Sequence, residues 1–271
     1  MQELPNSAEV HLGKAIASLN DETFETCLYH WLSRSIEVDN TTMIAYFQQH
    51  QPRVLFAHAY ERRVHAKLDS DYVSGAYLLD PFHALHVEKA PEDLYQLREI
   101  APDQFQRNEY FAAYYQQTTL IDEIAFIGYP ADGVSVHICL GRDAMSRRRF
   151  SVRDVATARR LAPIVCGMIR QRWSDLRSSG DDYSDQALVE RLTENLLITH
   201  GIKLSPRQAE IALLILRGHS SVSIGLRLEI SSQTVKVFRK QLYRKCSISS
   251  QAELFSLIMP LLSESASHKP R

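Results

Sequence analysis

No run of apolar residues in the chain approaches the ~18 that a membrane-spanning helix needs, and the first thirty residues carry no basic-then-apolar leader. A membrane or exported protein is not expected, and a cytoplasmic one is. Cysteine is scarce. Cys27, Cys139, Cys166 and Cys246 are scattered with no CxxC spacing, which argues against a disulfide framework and a zinc site and fits a reducing compartment. Histidine is present but has no metal-ligand spacing: His83 and His86 stand three apart without a third ligand nearby. No GxSxG elbow, P-loop or HExxH occurs, so the sequence supports neither an enzyme nor a cofactor.

Strong net charge is also missing, but the value of −1 over 271 residues is a cancellation. Between Ile202 and Ser263 nine basic residues face three acidic ones, and the region before them is acidic. A small basic domain suits a polyanion, and an acidic companion limits indiscriminate binding to it.

The basic region reads as four short helices. Ser205 is an N-cap, Pro206 stands at N1, Gln208 completes a capping box, and Gly218 follows the helix end. Ser220 caps a second helix with Ile224 and Leu228 on its apolar side. Gly225 inside it costs roughly 1 kcal/mol unless a neighbour needs the room. Ser231 caps a third, in which Val235, Phe238, Leu242 and Cys246 form a buried stripe and cationic residues cover the rest. Ser250 and Glu253 open a fourth. A helix with a buried seam and a basic outer face, braced by two others, has the geometry of a recognition helix.

These residues resemble the DNA-binding domain of the LuxR/FixJ/NarL family of bacterial transcription regulators. The family's opening is matched by Leu204, Ser205, Arg207, Gln208, Glu210 and Ile211. Its Ser-x-x-Thr-Val-Lys is matched by Ser231, Thr234, Val235 and Lys236, and its Ala-Glu-Leu by Ala252, Glu253 and Leu254. Departures fall at Ser223, Gly225, Phe238, Cys246, Ser247 and Gln251. The resemblance implies double-stranded DNA as partner, read by Lys236, Val237 and Lys240 at base edges. It places Arg239, Tyr243, Arg244 and Lys245 on phosphates, and Thr234 also belongs to the DNA-binding set. Two-fold operators imply a homodimer, for which Phe255, Ile258 and Leu262 of the last helix are candidates unless core packing uses them.

The preceding residues divide into a sensor domain over 1–173, a linker and connecting helix over 174–200, and the helix-turn-helix domain over 201–265. Helices are predicted over Ala8–Leu19, Glu22–Ile36, Glu61–Tyr72 and Gln104–Gln117, and from Ser151 to about Trp173. Strands are predicted over Thr42–Phe47, Val54–Tyr60, Asp122–Tyr129 and Val134–Leu140. The last two are joined by Asp132-Gly133 as a type I′ hairpin. Glu92–Ile100 reads either way, and Pro81 is expected to block regular structure. The segment Ser174–Asp185 is polar and linker-like, and Gln186–His200 is helical.

The N-terminal part is thus α+β, an antiparallel sheet with flanking helices in a PAS/GAF-like layout. The acyl-homoserine-lactone domain of quorum-sensing regulators shares that layout. Asp80-Pro81 resembles its ligand-holding Asp-Pro, but its tryptophans find no match, since Trp31 and Trp173 lie far from Asp80. The expected partner is a small-molecule effector of another kind, contacted by His58, Tyr77, Asp80, Phe82, Glu123 and Phe126. Each aromatic has an ordinary core role as its alternative, and Asp80 can equally cap a helix starting at Pro81. The rival reading is a protein-interaction or dimerisation module with no small-molecule ligand.

Overall fold

The computed structural model describes residues 8–178 and 185–267. Residues 179–184, half of the predicted linker Ser174–Asp185, therefore lie outside the described residues. Two helices, α1 (Ala8–Ala17) and α2 (Phe24–Ser35), precede strands β1 (Asn40–Phe47) and β2 (Arg53–Ala59). After an irregular stretch come α3 (Pro81–Val87), β3 (Asp93–Gln96), α4 (Leu97–Ile100) and α5 (Glu109–Phe111). The hairpin β4 (Leu120–Ala131) and β5 (Val134–Asp143) leads to the long α6 (Val152–Arg172). The C-terminal helices are α7 (Asp185–His200), α8 (Pro206–Leu216), α9 (Ser221–Arg227), α10 (Ser232–Lys245) and α11 (Gln251–Ser267).

The five strands form an antiparallel sheet in the order β2-β1-β5-β4-β3. Both faces of its central strands are buried, so β1 and β5 are buried along their whole length. Because strand side chains alternate, Met43, Ala45, Val136, Ile138 and Phe126 meet α1, α2 and α6 in one core. Ile44, Tyr46, Ala125 and Cys139 face a second core, shared with α3, the aromatic segment 105–115 and α7–α11. Ser151 and Asp154 form the reciprocal capping box of α6.

Several predictions of local structure need correction. Glu61–Tyr72 is not one helix but a 3₁₀ turn capped by Glu61, followed by a π turn over Leu68–Tyr72. Gln104–Gln117 breaks at Asn108, whose extended backbone lets its side chain cap α5 through Phe111 N–H (2.7 Å) and donate to the Leu216 carbonyl (3.1 Å). Pro81 does not block a helix; it begins α3, with Asp80 as N-cap. Part of Glu92–Ile100 is strand, the short edge β3. At the β4–β5 hairpin only Gly133 takes positive φ (+67°), so the turn is not type I′, which needs it at both positions.

The C-terminal helices are capped as their sequence predicts, at Ser205, Ser220 and Ser231. Glu253 of the fourth cap bonds Ser249 instead of Ser250, while Ser250 accepts from the Glu253 N–H. Gly225 faces the Ile230 carbonyl, which an added Cβ would meet at 2.7 Å, so the close approach explains the glycine. Ile258 and Leu262 of α11 are buried in the shared core and do not present a dimer face.

Gly218 ends α8 with φ +95°, and a Cβ there would lie 2.8 Å from the Phe105 Cα. Gly218→Ala is expected to destabilise the chain by more than about 1 kcal/mol in thermal or denaturant unfolding. Exposed Ser247 sits in the left-handed region at φ +55°. Ser247→Gly is expected to stabilise by about 1 kcal/mol; a neutral or destabilising result would show that its side chain compensates the strain.

Candidate functional site

The recognition surface is built by α10. Val235 and Leu242 are fully buried against the core. That seam turns Lys236, Lys240 and Arg244 outward at i, i+4 and i+8, one row on one helix face. All three are exposed, and none makes an ion pair among the described residues. Val237 is beside them, 48% exposed. Thr234 is exposed, but its N–H and hydroxyl are engaged by the cap Ser231. Arg239 lies over the Tyr243 ring (5.2 Å) and donates to its hydroxyl (3.0 Å).

Lys245 departs from its expected role. Its ammonium turns back to the Lys203 carbonyl and to Gln208 Oε1, both at 2.9 Å, and ties the end of α10 to the start of α8.

The six predicted ligand residues divide between the two faces of the sheet. Asp80 and Glu123 border one small cavity of about 80 Å³. Tyr77 and Phe82 are buried in the core on that side. His58 and Phe126 are not there. Thr41 pairs with His58 in the register, and Phe126 faces the α2/α6 core, so both occupy the opposite face. His58 packs on the ring of Tyr29 at 4.3 Å. The correction follows from strand periodicity: a neighbour one residue along a strand points to the other side.

The residues that fill the Asp80 cavity were not singled out by sequence reasoning. They are Tyr72, Tyr110, Tyr114 and Tyr115. Asp80 Oδ1 accepts the Phe82 N–H (2.8 Å) and Oδ2 accepts the Tyr72 hydroxyl (2.5 Å), which is in turn bonded to the Tyr46 hydroxyl. Tyr115 donates to Glu123 (3.0 Å). Burial raises the Asp80 carboxyl above its ordinary range, opposed by the hydrogen bonds it accepts. Burial, helped by the nearby Asp80 charge, pushes Glu123 up to about 8. The cavity therefore holds two carboxyl groups that favour an incoming hydrogen-bond donor or cation. The signal in the sequence is the tyrosine density of Tyr110-Phe111-Ala112-Ala113-Tyr114-Tyr115, which helical periodicity alone does not distinguish from a plain helix.

This cavity is linked to the helix-turn-helix by short routes. Leu78, two residues before Asp80, offers its carbonyl to Arg217 Nε (3.1 Å) at the end of α8. The same guanidinium forms a bidentate pair with Asp185 (2.6 and 2.8 Å), which holds the Asp185 carboxyl below its ordinary range despite burial. Asn108, two residues before Tyr110, donates to Leu216, and the Gln104 N–H donates to the Gly218 carbonyl (2.8 Å). Asp103 accepts the Ser220 N–H, and Glu88 pairs with Arg227 on α9 (2.5 Å).

Residues 203–258 match the model of the luxR family of bacterial regulatory proteins, so this segment is a LuxR-type helix-turn-helix DNA-binding domain. Over 185 residues the chain is 29% identical to a putative HTH-type transcriptional regulator in the exeN 3′ region of Aeromonas salmonicida. That match spans 66% of this chain and 93% of that protein. The LBD domain of VqsR from Pseudomonas aeruginosa is similar in fold. It is 24% identical, covers 60% of this chain and 94% of that one, and superposes with a TM-score of 0.53. Escherichia coli SdiA covers 94% of this chain and 97% of its own at 14% identity and a TM-score of 0.38.

Glu123 makes a pH dependence that can be isolated. Its folded value near 8 lies above its ordinary 4.5, so the stability it contributes is full below pH 4.5 and is lost as pH rises toward 8. Glu123→Gln does not titrate. Its unfolding free energy is expected to gain on that of the native chain between pH 4.5 and 8, by on the order of a few kcal/mol at most. The buried histidines act in both proteins and cancel in the difference. Urea melts across this range check it, and a flat difference would contradict the assignment.

Proposed function

We propose that the N-terminal α+β half of this chain senses a small molecule and sets how its LuxR-type helix-turn-helix binds DNA. The working division is a sensor over 1–173, a connection over 174–200 and the DNA-binding domain over 201–265. The observation that carries the reading is the exposed row Lys236, Lys240 and Arg244, without an ion pair among the described residues, on a helix whose other side is fixed in the core. In this reading Lys236, Val237 and Lys240 meet base edges, and Arg244 meets phosphate. Arg239 and Tyr243 act as a pair, the ring supporting the guanidinium beside the backbone of the duplex. A homodimer supplies the second recognition helix for a two-fold site, through a surface other than the buried seam of α11.

The effector reading rests on the Ala76–Leu79 turn. One side of this turn carries Tyr77 and Asp80 into the tyrosine cluster, and the other holds Arg217 through Leu78. A ligand amide or amine that takes over Asp80 displaces Tyr72 and Tyr110, and the shift reaches α8 through Leu78 and Asn108. The name of the VqsR fragment as an LBD domain is in keeping with this.

A second reading has its own observation. Both Asp80 oxygens are already satisfied by the protein, which favours an N-terminal half that binds another protein and no small molecule. Native mass spectrometry of the full chain separates the two. Retained mass of a small molecule supports sensing, and a bare dimer that takes up none from a metabolite extract supports the interaction module.

DNA binding is tested on the helix itself. Lys236→Ala and Lys240→Ala are each expected to weaken a selected site by roughly 1–3 kcal/mol while leaving scrambled duplexes less affected. Arg244→Ala is expected to weaken all sequences alike and to flatten the salt dependence by about one unit. Full affinity in both lysine variants would remove α10 from the groove.

A further inference from the structure

The last lysine of α10 does not belong to the basic row of that helix. At 3.6 residues per turn Lys245 stands about 180° round the axis from Lys236 and about 140° from Lys240. It shares a side with Gln241, one turn earlier. Its ammonium donates to the Lys203 carbonyl and to Gln208 Oε1, both at 2.9 Å. Gln208 Nε2 donates to Gln241 Oε1 (3.4 Å), so one side chain of α8 holds two successive turns of α10.

Gln208 suits that role because it is itself fixed. It is 5% exposed and closes the capping box of α8. Its Oε1 accepts the Ser205 N–H (3.1 Å), and Ser205 Oγ accepts the Gln208 N–H (3.3 Å). Lys203 is held from the other side. The Gly201 N–H donates to the Leu197 carbonyl and the Ile202 N–H to the Leu196 carbonyl, which folds the connection back onto the end of α7. The Lys245 ammonium therefore joins three elements at one point: the end of α10, the start of α8 and the connection from α7. Its hydrogen bonds are charge-assisted, and both acceptors are fixed by other parts of the chain.

A helix is a stiff rod, and its direction is set at its two ends. At the first end Ser231 caps α10, and the neighbouring Ile230 carbonyl lies close against Gly225 of α9. At the last end Leu242 and Cys246 are buried, but apolar packing is non-directional. Hydrogen bonds have preferred angles, and here Lys245 and Gln208 supply them. A change in the tilt of α10 moves Lys236 and Lys240 relative to whatever they touch.

We propose that Lys245 and Gln208 are positioning residues for sequence reading. They set the angle of α10 on α8, and so the alignment of Lys236 and Lys240 with base edges, and Lys245 takes no phosphate. The proposal rests on the reading that places α10 in the major groove. Lys245→Met tests it by keeping the stem and removing the ammonium. Gln208→Glu keeps the capping box and offers Lys245 a carboxylate. Binding of the full chain to a selected site and to a scrambled duplex is measured across a salt series, with Lys236→Ala alongside. Lys245→Met is expected to weaken the selected site about tenfold, the worth of one base contact, and to leave the scrambled duplex and its salt dependence nearly unchanged. Gln208→Glu is expected to keep the native preference. A role in stability alone lowers the melting temperature and leaves that preference intact, and this result in Lys245→Met would overturn the proposal. Equal weakening of both duplexes, with a salt slope lower by about one unit, would make Lys245 a phosphate contact and overturn it as well. Loss of preference in Gln208→Glu would overturn the tie through Gln208. Lys236→Ala keeps the two readings apart. If it loses preference while Lys245→Met does not, the positioning role alone fails; if neither loses it, α10 is not the reading helix and both fail.

Discussion

The end of α8 is where the two halves of this chain are held together, and the half-buried Arg217 guanidinium is one of the groups that hold them. Arg217 pairs in a fork with Asp185 at the start of α7 and donates to the Leu78 carbonyl of the N-terminal half. A helix end leaves carbonyls without partners, and a buried end must find some. Here Leu216 is served by Asn108, Gly218 by the Gln104 N–H, and Ile215 by Gln251 of α11. The carbonyls that any helix leaves open have become the contact through which the N-terminal half holds the DNA-binding helices. Gly218 allows it, since a side chain there would strike Phe105 and Asn108.

That arrangement leaves α10 outward. Its basic row is not covered by the N-terminal half, which instead touches α8, α9 and α11. Control of DNA binding, if it runs through this joint, works by the placement of the helix-turn-helix and not by masking its recognition face. On the other side of the same joint, the tyrosine cluster fills most of the space beside Asp80. The larger empty volume lies at the opposite end of α3, where the histidines are.

The C-terminal helices were legible because their signals are local. Ser205 with Gln208, Ser231 with Thr234 and the stripe through Val235 and Leu242 all act within two turns of chain. The hairpin β4–β5 was legible for the same reason, although its turn type was not, because Asp132 keeps negative φ. Features set by distant partners were not legible. The break at Asn108 exists because Leu216, over a hundred residues away, needs a donor. The edge strand β3 is four residues long and is fixed by pairing with β4, not by its own pattern. His58 and Phe126 lie on the face away from Asp80, and which side of a sheet buried on both a residue takes is set by strand register, not by local pattern. Lys245 reads as one more cation in a basic run, and only the fold shows that it closes α10 onto α8.

The claim on which the rest depends is that this chain reads DNA through the major groove with α10. Methylation interference on a duplex selected from random sequence by the full-length chain tests it most directly, since guanine N7 methylation blocks the major-groove edge that a lysine would contact. The account predicts interference at guanines in two major-groove segments about one helical turn apart. Interference confined to adenine N3 in the minor groove, with none at guanine N7, would contradict it.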